Sequence, residues 1–234
     1  MDKIGHYTTI VVLLLAPAVY GGPFFEDFES YEVGETPGAP WITATPWATI
    51  VSDDWAVSGR KSVRLYREPG TSDWAYLRYD FPGVPELTMQ FYILNIDNWW
   101  ATLEIWGDDR DWVGNFQMTM DGWFRWYSDP DPDRYLTPYE NQRWYLIELR
   151  VNSIWDRIDI FIDGTPYGRY MTGDVDLINS VSFRGEATDF PFPNHFYVDD
   201  VNIEPIPEPA TILLLSGGLS GLVGYVRREL RKRK

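Results

Sequence analysis

Short runs of alternating hydrophobic and polar residues fill the middle of the chain. In residues 101–107, Leu103 and Ile105 fall on one face and polar residues or tryptophan on the other. The same period of two recurs along the chain, for example in residues 86–94, 143–152 and 156–164. This alternation is typical of β-strands that are buried on one side.

The predicted strands follow one another at intervals of about ten residues, with Gly, Pro, Asn and Asp between them. Asp163 and Gly164, for instance, predict a tight turn after residues 156–162. Residues 21–205 contain no convincing amphipathic helix of ten residues. The pattern therefore predicts an all-β fold, an antiparallel β-sandwich over residues 22–205.

The N-terminus has a different pattern from the strands. Lys3 lies in a short polar start, Ile10–Ala16 is apolar, and Ala16-Pro17-Ala18 is a motif of small residues. This order is typical of a secretory signal peptide, so we expect residues 1–18 to be removed after Ala18 during export.

The C-terminus is apolar and then basic. Ala210–Val226 has 17 residues without a charge, and as a helix it would span about 26 Å, enough to cross a bilayer core. Residues 227–234 then carry six Lys and Arg. Because cationic flanks stay cytoplasmic, we expect a transmembrane helix over 210–226 with the rest of the protein outside the inner membrane.

Pro207, Glu208 and Pro209 directly precede this apolar span and its basic end. The three parts together, residues 206–234, resemble the PEP-CTERM sorting signal of Gram-negative bacteria. The resemblance implies that these three residues are recognised by an exosortase, a membrane transpeptidase. It implies a membrane-anchored precursor that ends at the cell surface or in the extracellular matrix, in bacteria that build extracellular polysaccharide. A plain tail anchor with a Pro-rich linker is the alternative.

Four segments of the predicted sandwich, taken in order, resemble a concanavalin A-like, laminin-G-type jelly roll. They are FFEDFESYEVGETP, SGRKSVRLYRE, QRWYLIELRVNSIWDRIDIFIDGTPYG and FYVDDVNIEP. The resemblance implies a fold that serves many carbohydrate-binding domains, some glycosidases and many adhesion modules. The fold alone therefore does not fix the function.

Charge and composition exclude several classes of function. Residues 19–209 carry 13 Lys and Arg against 33 Asp and Glu, a net charge of −20, which argues against nucleic acid and anionic lipid surfaces as partners. The chain has no cysteine and two histidines, His6 and His195. Disulfide frameworks, thiol nucleophiles and histidine-based zinc sites or catalytic triads are therefore poorly supported.

Aromatic residues exceed what a core of this size needs, with 12 Trp, 15 Tyr and 12 Phe. Rings on the polar faces of strands offer flat apolar surfaces to sugars, and arginine can bond their hydroxyls. We expect Tyr92, Trp106, Trp123 and Arg125 to bind a glycan, with extracellular polysaccharide as the partner. The alternative is that these tryptophans cover sheet edges or pack under loops.

In similar sandwiches the first and last strands often share a structural calcium ion. By this resemblance the ligands here would be Glu26, Asp27, Asp199 and Asp200. Strand alternation places Asp199 on the face of Val201, so an inward face would bury its carboxylate and require a partner. The alternative is that Asp199 caps backbone amides of a loop and needs no metal.

A second acidic segment has the spacing of a calcium loop. Asp129, Asp131, Asp133 and Glu140 occupy positions 1, 3, 5 and 12 of an EF-hand-like pattern. Arg134 stands where the sharp turn needs glycine, and flanking helices are missing. A solvated turn is the favoured interpretation.

Catalytic motifs are incomplete. One glycosidase family with this sandwich carries Glu-x-Asp-x-x-Glu on a strand, and the nearest segment here has Glu104 but Trp106 in place of the aspartate. We therefore expect a non-catalytic protein that binds carbohydrate. A structural or adhesive envelope protein without a glycan ligand is the main alternative, and a glycoside hydrolase is less favoured.

Overall fold

The computed structural model describes residues 22–67, 75–97, 100–108, 111–129, 133–185 and 194–206. Fifteen strands occur in this part of the chain: β1 Phe24–Glu26, β2 Trp41–Thr43, β3 Thr49–Ser52, β4 Ser62–Arg67, β5 Tyr76–Val84, β6 Glu86–Asn95, β7 Ala101–Gly107, β8 Trp112–Met118, β9 Trp123–Tyr127, β10 Arg134–Pro138, β11 Trp144–Asn152, β12 Arg157–Ile162, β13 Thr165–Met171, β14 Ile178–Gly185 and β15 Asn194–Ile206. Two 3₁₀ turns, Pro46–Ala48 and Ser153–Trp155, accompany them.

The strands form two sheets, and every pairing is antiparallel. The eight-stranded sheet has the order β13-β12-β11-β6-β15-β4-β3, with β1 also beside β15, and the seven-stranded sheet has the order β10-β9-β8-β7-β14-β5-β2. The prediction of an all-β antiparallel sandwich is confirmed. Among the described residues, none forms a helix long and apolar enough to span a membrane. The predicted span 210–226 and signal peptide 1–18 lie outside these residues.

Aromatic rings join the two sheets across the core. Phe91 of β6 meets Phe183 of β14 edge-on, with ring centroids 5.0 Å apart. Phe124 of β9 meets Tyr145 of β11 in the same way, also at 5.0 Å. These rings are buried, because the alternating strands direct every second side chain into the space between the sheets.

The two ends of the domain meet in the eight-stranded sheet, as the sequence predicts. Phe24 of β1 pairs with Ile203 of β15, and Glu26 pairs with Val201. On its other side β15 pairs with β6 along most of its length, from Phe196 opposite Asn95 to Ile206 opposite Glu86. The last strand is therefore an interior strand, held by neighbours on both sides.

A β-bulge near Asp200 changes which face the residues of β15 occupy. Before the bulge Val198 pairs with the buried Ile93, and after it Ile203 pairs with the buried Met89. The predicted alternation from Tyr197 to Ile203 is therefore wrong, because an extra residue at a bulge shifts the following side chains to the opposite face. Asp200 itself has a positive φ of 46°.

A candidate carbohydrate-binding face

Three of the four predicted glycan-binding residues share the outer face of the seven-stranded sheet. Trp106 lies on β7, and Trp123 and Arg125 lie on β9. Tyr92 does not join them, because it lies on β6 of the other sheet, opposite Leu146 and Asp199. Alternation along a strand predicts which side chains face outwards, but it does not predict which of the two sheets carries the strand. Tyr92 therefore does not belong to the group that contains Trp106, Trp123 and Arg125.

Polar side chains of modest size cover the centre of this outer face. We call them the polar floor, and each is at most 9% exposed. They lie on the adjacent strands β7, β8 and β14, where Glu104 pairs in register with Asn115 and Ser182. The polar floor consists of Thr102, Glu104, Asn115, Gln117, Ser180 and Ser182.

Three atoms of the polar floor lack a hydrogen-bond partner among the described residues. They are Thr102 Oγ1, Asn115 Oδ1 and Ser180 Oγ. A buried polar atom without a partner costs free energy, so native proteins satisfy most such atoms. The polar floor therefore offers donors and acceptors that water or a ligand rich in hydroxyl groups can satisfy.

Two charged pairs lie beside these polar residues. Arg184 Nη1 donates to Glu104 Oε1 at 2.7 Å, and both side chains are largely buried. Arg125 Nε donates to Gln117 Oε1 at 2.8 Å, and its Nη1 lies 2.9 Å from Asp133 Oδ1. These contacts fix the direction of each guanidinium, so the arginines are oriented hydrogen-bond donors.

Aromatic rings stand at both ends of β7. The guanidinium carbon of Arg125 lies 4.7 Å from the ring centroid of Trp100, just before the strand. Trp106 stands near the other end, six residues or about 20 Å along the strand. Beyond it Trp112 contacts Tyr127 with ring centroids 5.0 Å apart. The face is thus a polar strip between rings, an arrangement that suits an extended sugar chain.

The polar floor is not predictable as a unit from the sequence. Alternation places Thr102 and Glu104 on the outside of β7, which the structure confirms. Ser180 and Ser182 lie on β14, which is about eighty residues away in sequence and adjacent in the sheet. The signal that would have found them is a run of small polar residues at outward positions of neighbouring strands, and it requires the strand order.

The carboxylates predicted to bind calcium lie near the meeting point of β1 and β15 and accept hydrogen bonds from loops. Glu26 Oε1 accepts from the Phe28 amide at 2.9 Å, and Asp27 Oδ1 accepts from the Glu29 amide at 3.1 Å. Asp200 Oδ1 accepts from Ser58 Oγ at 2.7 Å. Among the described residues, no group of three or more Asp, Glu or His has the arrangement of a metal site.

Asp199 is completely buried beneath the loop between β3 and β4. Its Oδ2 accepts from the amides of Val57 at 2.8 Å and Ser58 at 3.4 Å, and its Oδ1 accepts from the Asp200 amide at 2.8 Å. Burial raises the pKa of the Asp199 carboxyl to about 6, although these three amides act in the opposite direction. The hypothesis that Asp199 caps loop amides describes these contacts, and calcium at this position stays a prediction.

Glu29 also accepts hydrogen bonds from the loop between β3 and β4. Its Oε1 accepts from the amides of Arg60 and Lys61, each at 2.6 Å. These hydrogen bonds, with the nearby positive charges, lower the pKa of the Glu29 carboxyl. This role of Glu29 is not predictable from the sequence, because a carboxylate that binds distant backbone amides has no local sequence signal.

The EF-hand-like segment lies at the edge of the seven-stranded sheet. Asp133 pairs with Arg125, and Asp129 and Glu140 are exposed. Asp131 lies outside the described residues. The pairing of Asp133 with a cation agrees with the interpretation of this segment as a solvated turn.

Comparison with known proteins identifies the C-terminal segment. Residues 205–232 match the PEP-CTERM protein-sorting motif, so the resemblance seen in the sequence is confirmed. The motif indicates an exported, membrane-anchored precursor that is sorted to the cell surface. The recognition residues Pro207, Glu208 and Pro209 lie within the match and outside the described residues. No curated protein matches the chain in sequence.

Solved structures share the sandwich at low sequence identity. A sialidase matches over 80% of this chain and 19% of its own, with 17% identity and a TM-score of 0.65. The cellulose-induced protein Cip1 matches over 79% and 98%, with 13% identity and a TM-score of 0.58. An endo-β-1,4-glucuronan lyase from the fungus Trichoderma reesei matches over 78% and 95%, with 12% identity and a TM-score of 0.52. These likenesses show a jelly-roll fold.

Proposed function

We propose that this protein is an exosortase substrate of the cell surface or extracellular matrix whose jelly-roll domain binds carbohydrate and does not catalyse a reaction. The proposal joins the sorting motif at residues 205–232 to the outer face of the seven-stranded sheet. Extracellular polysaccharide is the proposed partner, and the inner membrane holds the precursor through residues 210–226 until processing.

The polar floor is the observation that carries the carbohydrate assignment. Thr102, Asn115 and Ser180 each present a buried atom without a partner in the described part of the chain. Sugars supply several hydroxyl groups at close spacing, each able to donate and accept. The rings of Trp100 and Trp106 at the two ends offer apolar contact to the C–H faces of the same ligand.

The proposal of a non-catalytic role rests on Glu104. Glycosidases need two carboxyl groups about 5–9.5 Å apart, one of them an acid. Glu104 is the one carboxylate of the polar floor, and its Oε1 accepts from Arg184 at 2.7 Å. Because the Arg184 guanidinium occupies this oxygen, Glu104 is not positioned to donate a proton to a glycosidic oxygen. Incubation with bound polysaccharide should therefore release no new reducing or unsaturated chain ends.

A glycan array probed with the full chain in detergent micelles tests the binding site. We expect a polysaccharide or oligosaccharide to be bound, and Trp106→Ala to weaken that binding at least about tenfold, or roughly 1.4 kcal/mol, because a stacking surface is lost. Tyr92→Ala is the matched control, since it removes an aromatic ring from the opposite sheet and should leave the affinity unchanged.

Two results would overturn the proposal. If no glycan is bound at all, the structural or adhesive role without a sugar ligand replaces it. If Tyr92→Ala weakens binding as much as Trp106→Ala, the ligand does not lie on the seven-stranded sheet.

A further inference from the structure

A cavity of about 650 Å³ opens at the end of the sandwich where β8 begins and β9 ends. We call it the aspartate cavity, because four aspartates surround it together with Trp112 and Met171. The four are Asp111, Asp129, Asp156 and Asp174. Its volume is in the range of sites that hold small organic ligands.

Hydrogen bonds between distant segments fix the walls of the aspartate cavity. The Thr172 amide donates to the Asp156 carbonyl at 3.0 Å, and the Gly173 amide donates to the Val113 carbonyl at 2.8 Å. Ser128 Oγ donates to the Met171 carbonyl at 2.8 Å. Four parts of the chain are thereby tied together, so the cavity is formed before any ligand arrives.

The charge of the aspartate cavity is uncompensated within the described residues. Among the described residues no lysine, arginine or histidine lines it, and none of its four carboxylates forms an ion pair with another described residue. Like charges around one space repel each other, and a cation in that space relieves the repulsion. In the same wall Thr172 is 1% exposed, and its hydroxyl oxygen has no hydrogen-bond partner in the described part of the chain.

The arrangement suits an extended cation better than a metal ion. The described residues hold no three carboxylates or imidazoles grouped closely enough to ligate one metal. The carboxylates instead stand around a volume large enough for an organic group, so the matching ligand carries its positive charges on a larger framework.

Trp112 connects this cavity to the candidate carbohydrate-binding face. It pairs in register with Trp106 on β7, and its ring contacts Tyr127 at the same end of the seven-stranded sheet. A sugar chain on that face can therefore continue past Trp106 to Trp112. A basic peptide would also satisfy the charges, and its Lys or Arg side chains could contact the ring of Trp112, so oligolysine is included in the test.

We propose that the aspartate cavity binds a polysaccharide whose sugars carry protonated amino groups. A sugar ring packs on Trp112, and the ammonium groups lie against the aspartates. The inference rests on the proposed carbohydrate-binding function and adds the chemical class of the ligand.

Titration calorimetry with the full chain in detergent micelles tests this inference, using glucosamine oligomers and N-acetylglucosamine oligomers of equal length as probes. Acetylation removes the charge and keeps the sugar framework. We expect glucosamine oligomers to bind at least about tenfold more tightly at low salt, and the difference to shrink as salt screens the charges.

Asp111→Asn combined with Asp174→Asn should remove most of that preference. Asp53→Asn is the control for each of the two replacements made singly, because Asp53 is an exposed aspartate of the loop between β3 and β4 and each single replacement removes one negative charge. Thermal unfolding should be unchanged in the double variant and in the control, since none of the replaced carboxylates is in an ion pair of the described residues.

Three outcomes contradict the inference. Equal affinity for the two oligomers would exclude a role for the ammonium groups, while sensitivity of neutral glycan binding to Trp106→Ala would still support the proposed function. An equal effect of Asp53→Asn would assign the preference to overall charge. Oligolysine that binds as tightly, with the same loss in the double variant, would assign the cavity to a basic peptide.

Discussion

Asp199 shows how one buried carboxylate can join distant parts of the chain. It lies on β15 and accepts hydrogen bonds from three backbone amides. Two of these amides belong to Val57 and Ser58, more than 140 residues earlier. The sequence placed Asp199 on the face of Val201 and made its burial conditional on that face being inward. The shared face is wrong, because the bulge at Asp200 has no pattern in a single sequence. The loop that covers Asp199 was not predictable either, since its contacts are formed only in the folded chain.

Asp199 should make stability depend on pH in an unusual direction. Its folded pKa of about 6 is above that of an exposed aspartate, so the folded state binds the proton more tightly than the unfolded state. Its contribution to folding is therefore greatest at low pH and is lost as the pH rises through about 6. We expect the free energy of unfolding of the wild type to fall relative to Asp199→Asn between pH 5 and pH 7, as measured by urea denaturation.

Calcium chloride provides the control for this measurement. If Glu26, Asp27, Asp199 and Asp200 hold calcium, the ion keeps the Asp199 carboxyl ionised, and the added salt should raise the unfolding temperature and abolish the pH effect. A pH dependence of the wild type that Asp199→Asn retains in full would contradict the assignment of the raised pKa to this residue.

At the scale of strands, alternation predicted the long elements well. The predicted strands that correspond to β6, β7, β11 and β12 have their apolar side chains in the core. Asp163 and Gly164 form the predicted turn between β12 and β13. The short strands β2 and β3 were not predicted, because three or four residues do not establish a period. The order of strands in the sheets, which creates the polar floor, depends on contacts between residues far apart in sequence.

Gly114 lies at the bulge in β8, close to Trp112, where the backbone comes near the ring of Trp126 on β9. Its φ is +151°, and a Cβ at this position would overlap the ring of Trp126. We expect Gly114→Ala to destabilise the domain by about 2 kcal/mol or more in urea denaturation, because a packed ring must move.

The matched control is Gly164→Ala in the turn between β12 and β13. Gly164 also has a positive φ, +73°, but no atom lies within 4 Å of its added Cβ. Gly164→Ala should lower the free energy of unfolding by about 1 kcal/mol, because only the backbone conformation is strained and no neighbouring atom must move. Equal losses in the two variants would show that the Trp126 ring imposes no additional restriction.

At the scale of the whole molecule, the sorting motif and the sandwich occupy separate parts of the chain. The motif match begins at residue 205, and β15 ends at Ile206. The match therefore begins within the last two residues of the final described strand. The sequence predicted the sorting motif, because its composition differs from that of the strands, and the boundary between domain and signal stays a prediction.

Intact mass of the protein recovered from cells and from the medium tests this organisation. We expect the mature form to lack residues 1–18, because the predicted signal peptide would be removed during export. We also expect it to lack everything after about Pro209, because the sorting motif implies exosortase processing. Retention of 210–234 in the membrane fraction would indicate a plain tail anchor, and the association with a polysaccharide matrix would lose its main support.

The interior position of β15 sets an order of events during biogenesis. Synthesis proceeds from the N-terminus, so β15 is the last of the described strands to be made. Three strands made earlier, β1, β4 and β6, all pair with it. The eight-stranded sheet can therefore close only after the chain has been synthesised through Ile206. The sorting enzyme therefore acts next to a strand whose arrival completes the sheet, and failure to fold would leave the processing site attached to an unfinished domain.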